Sequence, residues 1–138
     1  MSVSILKKFP ETDISVSIVW IEMLPTDSLD AARKMAASIA DPRVVHYFDP
    51  RPRHLAANSF AKGIIRKGAG PAWDVYLLYD KDADWSGDPP TPAEWFHQLS
   101  GGTRADPRRF AAGAIGDRLH EAMHRLTATS CEHARIGG

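Results

Sequence analysis

The chain is short of sulfur, of net charge and of long apolar runs, and each shortage removes a class of function. Its 138 residues hold one cysteine, Cys131, so no internal disulfide and no Cys-x-x-Cys redox or zinc pair can form. Dithiol exchange needs a thiolate that attacks a disulfide, and Cys131 stands far along the chain in the C-terminal segment. Lys and Arg number 17 and Asp and Glu 17, a formal net charge of +0. Binding nucleic-acid phosphates calls for a basic surplus or a basic stripe. The densest basic groups, Arg51 with Arg53 and Arg104 with Arg108 and Arg109, are short and lie beside prolines, the composition of solvated loops. No apolar run approaches the ~20 residues of a membrane span, and no signal-peptide core is visible at the N-terminus. The expectation is a cytoplasmic protein with neither membrane nor nucleic acid as partner. Nucleotide signatures are missing as well: there is no Walker loop, no G-x-G-x-x-G, and Gly68-x-Gly70 precedes a strand-like run rather than a helix.

What is present is an alternation of apolar runs and helical stripes. With 43% hydrophobic residues, residues 1–138 fit a single domain with a core of its own. The stretch Ile14–Ser28 (ISVSIVWIEMLPTDS) organises it. Ile14, Val16, Ile18, Val19, Trp20 and Ile21 are apolar on both faces, which predicts a strand buried on both sides over Ile14–Met23. Pro25 stops the strand, and Asp27 or Ser28 is placed to cap a helix over Ser28–Ala40. Leu29, Ala32, Met35, Ala36 and Ile39 form its apolar stripe. A second buried strand is predicted over Arg43–Phe48 and a second helix over His54–Ile65, with the stiff loop Asp49-Pro50-Arg51-Pro52 between them. Ala72–Tyr79 (AWDVYLLY) reads as a third strand, apolar on both faces except at Asp74. After a polar loop from Asp80 to Pro92, Glu94–Leu99 reads as an edge strand or one helical turn. Asp106-Pro107 opens a last helix, with Pro at the favoured first position and a stripe of Ala111, Ile115, Leu119, Ala122 and Leu126. A flexible tail is expected from about residue 128. The order, a short element followed by β–α–β–α–β–(β)–α, implies parallel neighbours with helices on both faces and a late strand that returns antiparallel.

In that order the chain resembles the thioredoxin-like superfamily. VWIEMLPTDSLDAARKMA looks like the strand, turn and helix that carry the redox dithiol, and GAGPAWDVYLLYD looks like the segment in which a cis-proline precedes an antiparallel strand. The resemblance makes Pro71 the counterpart of that proline. It implies a three-layer α/β/α fold with a mixed central sheet. The phrases VWIEMLPTDS, DPRVVHYFDPR and AWDVYLLYD, with Pro92 to Leu99, are similar to those of a group of bacterial thioredoxin-like proteins. Where thioredoxins place two cysteines this chain has Met23-Leu24-Pro25-Thr26-Asp27-Ser28. The resemblance therefore implies the scaffold without the redox reaction, a binding or protein-interaction module that needs no cofactor.

Three groups of residues are candidates for chemistry. Strand ends and topology gather Asp27, Ser28, Asp49, Arg51, Trp73 and Asp74 at one sheet edge with the turn that starts at Met23, beside a helix N-terminus where a small polar ligand or a partner can sit, and the resemblance sets Pro71 beside them. A carboxylate on a doubly buried strand needs a partner, so Asp74 is expected to pair with Arg43, His46 or Arg51, as a structural bridge or as part of a pocket. Ser28 lacks the glycines of a nucleophile elbow, so no triad is built on it. Second, His120-Glu121-Ala122-Met123-His124 matches H-E-x-x-H, in which two histidines bind zinc and the glutamate polarises a water. That gives the alternative function, a small zinc-dependent hydrolase. The wheel places both histidines off the apolar stripe, as on a solvated helix face, and the further candidate ligands Glu132 and His133 lie in the expected tail. Third come the aromatics. Trp20 and Trp73 are expected in the core, Trp85 and Trp95 as caps on the sheet or as a patch for homo-oligomer contact, and His97 as a structural histidine.

Overall fold

The computed structural model describes residues 6–10, 13–62, 64, 71, 73–98 and 112–133. It is a mixed α/β structure, and the chain divides into two compact units, Asp13–Trp73 and Met1–Thr12 with Asp74–Gly138.

In the first unit the β-branched run forms β1 (Val16–Ile21). After the Pro25 turn comes α1 (Leu29–Ala37). Ser28 is its N-cap, extended at φ −156°, and its hydroxyl accepts from the Ala31 N–H at 3.1 Å. β2 (Val44–Asp49) runs parallel to β1, in the register Val16↔Val44 to Ile21↔Asp49. Arg43 is fixed just before it by a fork onto Asp41, Nε to Oδ1 at 3.0 Å and Nη2 to Oδ2 at 2.8 Å. The loop after β2 contains a cis Arg51–Pro52 peptide, and α2 (Leu55–Ala61) follows. α1 packs on β2, and α2 packs on both strands.

This unit is more open than its sequence predicts. β1 is half-buried, not sealed on both sides. β2 alternates, with Val45 and Tyr47 exposed. On α1 the stripe residues Leu29 and Met35 are exposed too, while Ala32 is buried. Two six-residue strands offer a helix a narrow seat, and small alanines take it: among the described residues of this unit the buried hydrophobic ones are Ala32, Ala57 and Ala61. Trp73, expected in the core, is 38% exposed.

The second unit holds the larger side chains. β3 (Val75–Leu78) and β4 (Glu94–His97) pair antiparallel, Val75↔His97 to Leu78↔Glu94. Of the two readings of Glu94–Leu99, the strand is the one adopted. α3 (Ala112–His133) lays Ile115, Leu119 and Ala122 on Phe96, with Tyr76 and Leu78 packed against the cluster. The stripe read from its 3.6-residue spacing is the stripe that is buried, with Leu126 half-buried at its end. Arg125 on α3 grips Glu94 on β4 with both ends of its fork, at 3.0 and 2.6 Å. α3 runs to His133, past residue 128 where a tail is expected. The Asp106-Pro107 start, Leu99, Ala111 and the basic group 104–109 lie outside the described residues.

The parallel β1–β2 pair and the antiparallel β3–β4 pair have the expected directions, and they stand as two two-stranded sheets. Among the described residues no helix is long and apolar enough to cross a membrane.

Candidate functional site

The carboxyl ends of two parallel strands are where open α/β folds place ligands, and in the first unit these ends are built around Glu22. The Glu22 carboxylate accepts from the backbone N–H of Arg51 at 2.8 Å. Its carbonyl oxygen accepts from Arg51 Nε at 2.6 Å and from His54 Nε2 at 3.0 Å, so that ring nitrogen carries a proton. The Arg51 guanidinium also donates to the carbonyl of Met23. One arginine and one histidine from the loop after β2 thus hold the turn after β1.

Asp27 and Ser28 shape the same turn. Asp27 Oδ2 accepts from the N–H groups of Met23 and Leu24, at 2.9 and 2.6 Å, while the Ser28 hydroxyl caps α1. Asp49, at the end of β2, is 5% exposed, and its Oδ2 accepts from the Ala57 N–H at 2.9 Å. It takes over the capping of α2, because the N-cap residue His54 sits in left-handed backbone (φ 41°) and makes no side-chain cap bond.

The residues expected at one sheet edge therefore divide. Met23, Asp27, Ser28, Asp49 and Arg51 come together at the turn, and their polar groups are engaged in fixing it. Pro71 is half-buried and Trp73 exposed, and among the described residues neither is hydrogen-bonded to the turn. The Gly70–Pro71 peptide, which the resemblance makes a cis bond, includes a residue outside the described set. Asp74 belongs to the other unit and corrects the expectation of a buried strand carboxylate. It is exposed, precedes β3 and takes left-handed backbone at φ 51°, a conformation aspartate tolerates. It needs no buried partner, and the proposed ones are engaged elsewhere: Arg43 with Asp41, Arg51 with Glu22 and Met23, and His46 as Nδ1 acceptor of the Trp20 indole N–H at 3.2 Å. The Asp74 charge adds to burial in pushing the Tyr76 phenol above its ordinary range.

Glu22 and His54 were missed in reading the sequence. The signal was a lone charge at the end of an apolar run, with a basic stretch, Arg51 to His54, following the next strand. Large apolar side chains are exposed at this end too: Leu24 at the tip of the turn is 61% exposed, Leu55 at the start of α2 is 68% exposed, and Leu29 opens α1 in the open as well.

In the second unit the H-E-x-x-H residues are not a bare solvated face. Phe9, buried, packs against both rings, with centroids 5.2 Å from His120 and 5.1 Å from His124; the two imidazoles stand 4.7 Å apart. Glu121 turns to Arg118 at 3.1 Å. The side chains of Cys131, Glu132 and His133 lie outside the described residues. Trp85 is exposed and meets Tyr79 edge-on at 4.7 Å, and burial raises the Tyr79 phenol. Trp95 is half-buried, stacked at 5.6 Å on His97, itself buried.

Compared with family models, with curated proteins and with solved structures, the chain finds no match.

Proposed function

We propose that the chain is a redox-inactive, thioredoxin-like interaction module of three-layer α/β/α build. The element order, the parallel first pair and the antiparallel second pair support the scaffold. The single cysteine, at position 131, supports the lack of dithiol chemistry, which needs two thiols.

One observation carries the interaction reading. At the carboxyl ends of β1 and β2 the side chains of Glu22, Asp27, Asp49, Arg51 and His54 are tied to backbone groups, and Leu24, Leu29 and Leu55 are left facing solvent. A catalytic or polar-ligand site needs uncommitted donors and acceptors aimed at a substrate. A docking site needs exposed apolar anchors on a rigid frame with a polar rim. This end of the unit has the second set of properties, with Arg51 and Arg53 exposed beside the leucines. The partner is accordingly a protein surface with an apolar centre and acidic margins, a second copy of the chain included.

Photo-crosslinking tests the reading. A benzophenone amino acid at position 24 or 55 is expected to give a discrete adduct in cells, with the mass of the adduct distinguishing a second copy from another protein. The same probe at exposed Asp82 is the control. No discrete adduct from either leucine position, or equal adducts from position 82, contradicts the proposal.

A further inference from the structure

We propose that His120 and His124 form a two-imidazole site for a borderline divalent transition ion, zinc or copper(II). Both lie on the 22-residue α3, one turn apart, the spacing at which two imidazoles on one helix face reach a common ion. Two imidazoles bound through nitrogen at ~2.0–2.1 Å, at a bite angle of roughly 90–110°, hold their ring centres roughly 4.5–5.2 Å apart. The rings stand 4.7 Å apart before any ion is added.

Their surroundings favour the same use. The ring contacts of the two imidazoles are with each other and with Phe9, and among the described residues their nitrogens make no hydrogen bond or ion pair with another side chain. Phe9 is buried and lies against both rings, which restricts the side-chain freedom that binding would otherwise have to remove. His124 is exposed and His120 half-buried, giving an ion access from solvent.

The site is a chelate and not a hydrolytic centre. Glu121 is turned to Arg118 rather than toward the imidazoles. Among the described residues no group of three His, Cys, Asp or Glu side chains converges on one point. Two protein ligands leave at least two positions of a tetrahedral ion for water or for donor atoms of a docked partner. Copper(II) binds more tightly than zinc, following the general order for nitrogen ligands, and the ion displaces protons, so acid releases it.

Calorimetric titration of the full, tag-free chain with zinc chloride and copper(II) sulfate is the test. The expected result is one equivalent of each, copper(II) the tighter, with nitrogen hyperfine structure from two imidazoles in the copper spectrum. His124→Ala, at an exposed position on α3, is expected to weaken binding on the order of tenfold or more. His120→Ala does the same, while His133→Ala binds as the parent chain does. Bound metal raises the melting temperature of the parent chain by linkage and leaves that of His124→Ala unmoved. Equal affinity in His124→Ala, or a loss confined to His133→Ala, overturns the proposal.

Discussion

The two units solve the same problem with different materials. In the unit of residues 1–12 and 74–138, Phe96 of β4 is buried with Ile115 and Leu119 of α3, and Ile115 is 0% exposed. In the 13–73 unit the buried hydrophobic residues among those described are alanines, and Leu24, Leu29, Met35, Val45, Tyr47 and Leu55 are exposed. What holds that unit is a parallel ladder, a buried aspartate that caps α2, and the bonds that Arg51 and His54 make to Glu22. A unit held by apolar burial spends its large side chains inside. A unit held by polar joints leaves them for something else to cover.

Substitutions break or sharpen that contrast. The largest effect is expected from Ile115→Ala. Removing a fully buried side chain beneath α3 costs about 3–4 kcal/mol, read as a lower midpoint in denaturant. If the loss is below about 1 kcal/mol, the second unit is not sealed as described. Asp49→Ala comes next. It strips α2 of its cap and leaves the Ala57 N–H without its acceptor, for a loss of about 1–2 kcal/mol; an unchanged midpoint would mean that polar joints do not hold the first unit. Leu24→Ser with Leu55→Ser is expected to alter stability by no more than about 0.5 kcal/mol, because both side chains already face water. A loss of several kcal/mol would show that they are packed.

The smallest effect is confined to acid. The Arg43 side chain, then its backbone N–H, holds the Asp41 carboxyl below its ordinary 3.8, at about 2. A carboxyl depressed on folding stabilises the folded state above its unfolded value, and that contribution fades as pH falls through the folded value. The stability difference between the parent chain and Asp41→Asn should therefore be constant at neutral pH and shrink from about pH 4 toward pH 2. A difference that stays flat over that window contradicts the fork between Asp41 and Arg43.

The sequence made the elements legible where local chemistry decides them. The β-branched run gives β1, the Ser28 hydroxyl gives the start of α1, and the spacing of Ile115, Leu119 and Ala122 gives the buried face of α3. It overstated burial in β1 and β2 because an apolar composition says what a strand tolerates, not what covers it. Asp74 misled for a related reason: it looked like part of a strand, and a left-handed residue just before the strand looks the same in one dimension. At the turn, Asp27, Ser28, Asp49 and Arg51 were found from topology, but their engagement was not. Glu22 meets Arg51 and His54 only through the register of β1 on β2, and residues that sit 29 and 32 positions apart carry no local signature. Phe9 against His120 and His124 is the longest such step, from one end of the chain to the other.

Native-state hydrogen exchange, read peptide by peptide, bears most directly on the contrast between the two units. Amides of Ile115–Ala122 on α3 should exchange only through opening of the whole fold, and slow sharply with any stabilisation of it. Amides of Val16–Ile21 and Val44–Asp49 should exchange through smaller openings, at rates that Asp49→Ala raises and Ile115→Ala leaves nearly unchanged. If both strands of the first pair are instead as protected as α3, and respond to Ile115→Ala as strongly, the first unit opens only with the whole fold and the contrast between the units fails. The exposed leucines of the first unit would then have no special claim to a partner.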